Sequence, residues 1–211
     1  MYKKTYINGI HNYKNMRKNG AGFTLIEMIV AGAIFCIIIV VILGIFISSI
    51  RIQRYNLASQ QLMAQTSYAM EYMSRFIRMA KKELADGTQD CLSADGLNYE
   101  KDKNVDILDV GTVNVKILFK DYNKKCRGFF VESGQLKEYE KGRTPSEVLP
   151  LTSNKLEIKT FEVVLVGGSQ SSDTLQPKIT ILLEAEVKNL TPTPRIKIQT
   201  TVSQRDLDVS E

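Results

Sequence analysis

The stretch GFTLIEMIVAGAIFCIIIVVILGIF, from Gly22 to Phe46, decides how this chain is organised. From Phe23 onward it has 24 residues and one charged side chain, the carboxylate of Glu27. A helix of this length rises about 36 Å, enough to cross a hydrocarbon core of about 30 Å with some tilt. A carboxylate inside such a helix costs about 2.5–3.5 kcal/mol on insertion scales, so Glu27 needs a partner.

The residues before this segment orient it. Positions 1–22 carry no acidic side chain and five basic ones, namely Lys3, Lys4, Lys14, Arg17 and Lys18. Basic residues on one side of a membrane helix keep that side in the cytoplasm, so we expect the C-terminal part outside. The whole chain has 28 basic and 23 acidic residues, and without the five leader cations both counts are 23. The net charge of +5 is therefore no argument for nucleic-acid binding, and we predict no nucleic-acid partner.

The chain's one histidine, His11, also lies before the apolar segment. If residues 1–22 are removed, no imidazole is left for Ser-His-Asp or Cys-His catalysis or for a zinc site that needs imidazole. The carboxylates form no recognisable catalytic set in the sequence. We therefore predict that the protein is not an enzyme and takes no cofactor.

Small residues, Gly20, Ala21 and Gly22, stand before the apolar stretch, whereas a secretory signal has them after it. A cut at this place would leave the helix attached as an anchor. The motif from Gly22 to Glu27 resembles the class III signal of type IV pilins and of type II secretion pseudopilins. The resemblance implies that a prepilin peptidase cuts between Gly22 and Phe23 and methylates the new amine of Phe23. It also implies that Phe23 and Glu27, the first and fifth residues after the cut, take part in subunit assembly.

Two alternatives for Glu27 and two for the start of translation stay open in the sequence. Glu27 is also placed to stabilise the first helical turn through the macrodipole, worth a few tenths to about 1 kcal/mol. As a partner of the new amine, about 6 Å away along the axis, it can serve its own chain or a neighbouring subunit. A 22-residue leader is long for this family, so translation starts at Met1 or at Met16, where MRKNGAG would be the leader.

Helical periodicity continues beyond the apolar stretch. The predicted stripe consists of Met63, Met70, Ile77 and Leu84, with Thr66, Met73, Ala80, Leu62, Ala69 and Phe76 beside them. With Asp86-Gly87 as a stop signal, we predict one helix from about Phe23 to Ala85. After a basic leader, 1–22, it divides into a transmembrane or filament-core part, 23–47, and an amphipathic part, 48–85. A free coiled coil is the alternative for the stripe, but the strands that follow need a helix to cover them.

Residues 86–211 are predicted to form an exported antiparallel β-sheet domain that begins with a polar loop at 86–104. The predicted strands are 105–110, 112–119, 128–132, 135–140, 156–166, 178–187 and 195–202, with a hairpin turn at Ser133-Gly134. The apolar phase shifts between Ile158 and Phe161, which predicts a bulge. Clean alternation indicates one sheet with a solvated face, so we predict an α+β fold in which the long helix packs on the sheet. The resemblance implies the same pilin-like architecture.

The cysteines, the aspartates and one glycine-rich segment are further candidates for functional sites. A bridge between Cys91 and Cys126 would close a loop of about 35 residues and add about 3–4 kcal/mol, and two free thiols are the alternative. Cys36 is expected to be a packing residue of the helix. An acidic stretch consists of Asp86, Asp90, Asp95, Asp102, Asp106 and Asp109. It lacks EF-hand spacing, so we predict a solvated loop and no metal site. The alternative implied by the resemblance is a calcium site, since some secretion pseudopilins use calcium. Gly167-Gly168-Ser169 lacks the lysine and the helix of a phosphate-binding loop.

The family resemblance implies a minor subunit rather than a major one. AIF at Ala33–Phe35, YAMEYMSRFIRMA at Tyr68–Ala80 and QTTVSQRDL at Gln199–Leu207 are similar to J-type minor pseudopilins and W-type minor pilins. We therefore expect a single-pass protein of the cytoplasmic membrane that joins other pilin or pseudopilin subunits in a pilus or a type II secretion filament, near its tip. A membrane assembly platform, driven by a separate ATPase, would be a further partner. The alternative is a signal-anchored binding or sensor domain that never polymerises.

Overall fold

The computed structural model describes residues 22–83, 91–107, 110–167 and 175–205. The chain divides into two compact units, Met1–Ser49 and Ile50–Glu211. Over the described ranges, one helix, α1 (Leu25–Arg78), precedes eight strands in two antiparallel sheets, so the chain has a long N-terminal apolar helix and an α+β organisation. Residues 1–21 of the predicted leader (1–22), Leu84, Ala85 and the stop signal at 86–87 lie outside the described residues.

The helix ends earlier than the spacing of its apolar residues predicted. Its last residue is Arg78, not Ala85. The chain leaves the helix because the backbone N–H of Lys81 donates to Lys120 O at 2.8 Å, which makes an isolated antiparallel bridge to a strand. Ala80 is fully buried although it is no longer helical, and this explains why the apolar period continued past the helix end.

The five-stranded sheet contains β1 to β5 in chain order. The bounds are β1 Glu100–Ile107, β2 Gly111–Lys120, β3 Cys126–Glu132, β4 Gln135–Glu140 and β5 Val148–Pro150. Ser133 and Gly134 connect β3 to β4 with φ values of 53° and 74°, so the predicted two-residue hairpin is confirmed. β1 begins inside the segment predicted as a loop, because its residues pair in register with β2. β5 was not predicted, since its three residues are too few to show alternation.

The three-stranded sheet has the order β6-β7-β8. Its bounds are β6 Leu156–Val166, β7 Lys178–Val187 and β8 Arg195–Ser203. The pairing of β6 with β7 shifts between Ile158 and Thr160, so the predicted bulge is confirmed. The prediction of a single sheet is wrong. Among the described residues, β6 is tied to the first sheet's backbone through one hydrogen bond, from Ile158 N to Gly134 O at 2.9 Å.

The two sheets and the C-terminal part of α1 enclose the main core of the Ile50–Glu211 unit. The helix contributes Leu62, Ala69, Met70, Met73 and Ile77, and the sheets contribute among others Ile117, Phe119, Phe129, Phe161, Ile181 and Val202. Met63, which was predicted to belong to the stripe, is 60% exposed. Seven residues fall about 20° short of two full turns, so Met63 is rotated farther from the core than Met70.

A second cluster covers the opposite face of the five-stranded sheet. Leu92 and Leu97, in the segment before β1, pack there with Leu118, Phe130 and Tyr139, and the cluster also includes Cys91 and Cys126. The two cysteines form a disulfide with a Cα–Cα distance of 5.1 Å. The prediction that one face of the sheet is solvated is therefore wrong for β2–β4, because the segment before β1 covers it.

A buried ion network lies between α1 and the five-stranded sheet. The Arg127 guanidinium is 4.1 Å from the centre of the Phe76 ring, and it pairs with Asp121 Oδ2 at 3.2 Å and with Glu138. Tyr72 Oη donates to Glu138 Oε1 at 3.0 Å and so ties the helix to the network. Removing one partner of such a buried pair typically costs about 3–5 kcal/mol, since the other charge stays buried.

Glu140 lies at the edge of this network. Burial raises the pKa of Glu140, but hydrogen bonds from Lys125 Nζ (2.8 Å) and Arg143 Nη2 (2.6 Å), with the charges of Arg127 and Arg143, outweigh it. The pKa of this carboxyl therefore lies below its ordinary value of 4.5.

Candidate functional site

The start of α1 brings together the residues of the predicted cleavage and assembly motif. Gly22, Phe23 and Thr24 precede the helix, which begins at Leu25, and the Phe23 side chain is exposed. The backbone N–H of Thr24 donates to Glu27 Oε2 at 2.9 Å, and the Glu27 N–H donates to Thr24 Oγ1 at 3.3 Å. These reciprocal bonds form a capping box, in which Thr24 is the N-cap and Glu27 the third helical residue.

The capping box gives Glu27 a partner within its own chain. Thr24 Oγ1 donates to Glu27 Oε2 at 3.0 Å, so the hydroxyl and the backbone N–H of Thr24 share one carboxylate oxygen. Oε1 is not used by these bonds and can accept a further donor. The capping role of Thr24 was not predicted from the sequence, although the pattern Thr-x-x-Glu before an apolar run is a recognised signal for this motif.

The helix that follows presents an apolar surface on every side. Its side chains from Leu25 to Ser49 are exposed, and this part of the helix is long and apolar enough to cross a membrane. Glu27 is its one charged side chain. Cys36 has a free thiol and is exposed with the residues around it. A surface of this kind is stable in lipid or against other apolar helices, and not in water.

The sheet-facing side of α1 in the Ile50–Glu211 unit also extends beyond the core. Ile52 and Tyr55 lie ten and seven residues before Leu62, the first core residue of the helix, and they continue the same face. Leu62 is buried, whereas Ile52 is 61% and Tyr55 37% exposed. The apolar face is thus uncovered over about two helical turns, and another helix or a lipid surface can cover it.

The other residues considered as sites are used structurally or lie at the surface. Cys91 and Cys126 hold the segment before β1 against the sheet through their disulfide. Asp102 pairs with Lys116 Nζ at 2.7 Å, and Asp106 accepts a hydrogen bond from Thr112. In the ranges that the structure describes, no three metal-ligating side chains lie together. Asp86, Asp90 and Asp109, like Gly168 and Ser169, fall outside these ranges.

Comparison with protein-family models, with curated proteins and with solved structures gives no match.

Proposed function

We propose that this chain is a membrane-anchored, pilin-like minor subunit that is cut between Gly22 and Phe23 and then assembled into a filament. The observation that carries the proposal is the start of α1. A helix with an apolar surface on every side holds its one carboxylate in the first turn, next to the proposed cut. In lipid, a carboxylate at this place is costly unless a cation joins it. Cleavage would supply that cation as the amine of Phe23.

The geometry of the capping box favours a shared use of Glu27. Thr24 N–H and Oγ1 occupy Oε2, so Oε1 is left for an ammonium group. The amine of Phe23 would be one residue before Thr24, close enough to be drawn to the same carboxylate. A neighbouring subunit's amine would compete for it, and an intersubunit pair would fix the axial register of the two helices.

The apolar helix and the disulfide-bonded unit would have separate roles. The apolar helix would wait in the cytoplasmic membrane and then pack against the helices of other pilin-like subunits, aided by a membrane assembly platform. The exposed face at Ile52 and Tyr55 would join that packing. The disulfide-bonded unit would be exported and would present its sheets to tip partners or cargo, since disulfides persist in oxidising compartments.

A second candidate is a signal-anchored domain that never polymerises. The capping box favours it in one respect, because Glu27 already has a structural use in starting its own helix. On this proposal the charge of Glu27 is dispensable, whereas its ability to accept hydrogen bonds is needed.

Two substitutions distinguish the filament subunit from the anchored domain that never polymerises. Glu27→Gln removes the charge but keeps a capping box, because Gln serves at this position as well as Glu. Thr24→Ala removes the hydroxyl and keeps the charge. Both variants and the wild type would be expressed with and without a prepilin peptidase, together with the other filament subunits. Mass spectrometry would identify the N-terminus, and immunoblots would compare the sheared-filament and membrane fractions.

The filament proposal predicts a peptidase-dependent N-methyl-Phe23 in all three proteins. It also predicts that Glu27→Gln lowers the filament fraction at least tenfold, and that Thr24→Ala lowers it less. An intact leader in cells with the peptidase would overturn the proposal in favour of the anchored domain. Equal filament fractions for Glu27→Gln and wild type would show that the charge of Glu27 has no part in assembly.

A further inference from the structure

Three arginines from two distant parts of the chain meet at the C-terminal end of α1. Arg75 and Arg78 lie in its last turn, and Arg205 follows β8. With Glu71, Ser74 and Met79 they line a surface pocket of about 250 Å³, which we call the arginine pocket. Three of these lining residues are arginines and one is a glutamate, so their side chains together carry a net charge of +2.

The pocket is preorganised on both sides. Helix spacing places Glu71, Arg75 and Arg78 on one face of α1. Arg205 is held against the helix end because its backbone N–H donates to Arg78 O at 2.8 Å. The preceding residue, Gln204, is buried, and its amide donates to Ala80 O at 3.0 Å. Both chain segments are therefore fixed before any ligand arrives.

The charges in the pocket are incompletely neutralised. Glu71 Oε1 pairs with Arg75 Nη2 at 3.0 Å, but both side chains are mostly exposed, so the pair is weak and can be exchanged. Within the described ranges, no carboxylate pairs with Arg78 or Arg205. Basic groups at a helix C-terminus do stabilise the helix dipole, and this accounts for Arg75 and Arg78. Stabilisation of the helix dipole does not account for the third arginine, Arg205, which follows β8 and is not part of the helix.

We propose that the arginine pocket binds an acidic peptide segment of another protein. Guanidinium groups hold carboxylates through paired hydrogen bonds. Arg78 and Arg205, which pair with no carboxylate of the described ranges, line the same pocket and so fit two neighbouring acidic side chains. The Ser74 hydroxyl adds a further donor beside them. The inference names the chemistry of a partner for the Ile50–Glu211 unit. It requires neither cleavage at Gly22 nor filament assembly, so it can fail or stand independently of the proposed function.

The test uses the full chain in detergent micelles and a fluorescently labelled hexaglutamate peptide, with hexaglutamine as the uncharged probe. Fluorescence anisotropy would compare the wild type, the double variant Arg78→Ala/Arg205→Ala, and Lys197→Ala. Lys197 is an exposed base on β8, outside the pocket, and serves as the matched control. Circular dichroism melts would show that each variant is folded. The lysine variant Arg78→Lys/Arg205→Lys would separate charge from guanidinium geometry.

We expect the double alanine variant to bind hexaglutamate at least tenfold more weakly than the wild type, and Lys197→Ala to change the affinity less than twofold. The lysine variant should recover only part of the loss, and affinity should fall as salt rises. Equal losses in Lys197→Ala and the double alanine variant would overturn the proposal, because they would show a general charge effect. So would binding of polyphosphate without binding of hexaglutamate. Binding that appears only after Asp206, Asp208 and Glu211 are neutralised would overturn it in favour of an occupant from the same chain.

Discussion

Loss of the Cys91–Cys126 disulfide should destabilise the Ile50–Glu211 unit by about 4 kcal/mol. The two cysteines are 35 residues apart in sequence. In the chain-entropy relation, a loop of this length removes about 13 cal/mol/K from the unfolded state, which is about 4 kcal/mol at 25 °C. Both cysteines are buried in the second cluster, so their replacement by alanine also leaves small packing defects.

This free energy converts into a large thermal shift. A domain of 150–250 residues loses about 2–4 °C of Tm per kcal/mol, so the Tm should fall by about 8–16 °C. The assay compares wild type with Cys91→Ala/Cys126→Ala, each in detergent micelles. Because the chain has no tryptophan, near-UV circular dichroism of its tyrosines reports the tertiary structure. Cys36→Ala is the matched control, since Cys36 is free and exposed.

A Tm decrease below about 3 °C in the double variant would contradict this prediction, because the loop entropy would then make no substantial contribution to stability. The prediction would also be refuted if Cys36→Ala lowered the Tm as much as the double variant. Addition of a reductant to the wild type should reproduce the double variant and should leave the double variant itself unchanged.

Three further predictions concern the same unit. Gly128→Ala should cost about 1–3 kcal/mol in denaturant unfolding, because a Cβ there would meet the Val115 side chain and lie 2.9 Å from Ile117 O. Met70→Ala should cost about 2–5 kcal/mol and Met63→Ala less than about 0.5, since only Met70 is buried; equal costs would contradict the assigned helix face. Glu140→Gln should flatten the loss of stability on acidification. The pKa of Glu140 lies below its ordinary value of 4.5, so its charge contributes stability that is present above pH 4.5 and is lost as the pH falls through the lowered pKa.

Local periodicity predicted much of this fold from the sequence. The predicted bounds of β6 and β7 are confirmed, and so is the bulge in β6. Each of these features follows from the alternation of apolar and polar side chains along the strand itself. The apolar helix was also predicted correctly, because an apolar stretch of this length is typical of a membrane-spanning helix.

Features that depend on distant contacts were missed. The helix stops at Arg78 because Lys81 pairs with Lys120, about 40 residues away, and nothing near Lys81 in the sequence shows this. The division into two sheets was missed for the same reason, because it also depends on contacts between residues that are distant in sequence. At the candidate site, the motif from Gly22 to Glu27 is identified by resemblance, and a resemblance does not specify the hydrogen bonds between Thr24 and Glu27.

The contact between Gln204 and Ala80 has a consequence for how the protein is made. These residues are 124 positions apart, and the hydrogen bond between them forms where β8 closes the core against the helix. A contact between residues so far apart in sequence forms late in folding, because the entropy of closing the loop is lost before the contact is gained. The core also lacks Val202 until the last strand has been synthesised. We therefore expect the Ile50–Glu211 unit to complete its core only after β8 has been synthesised, so that its earlier strands wait for their last packing partner.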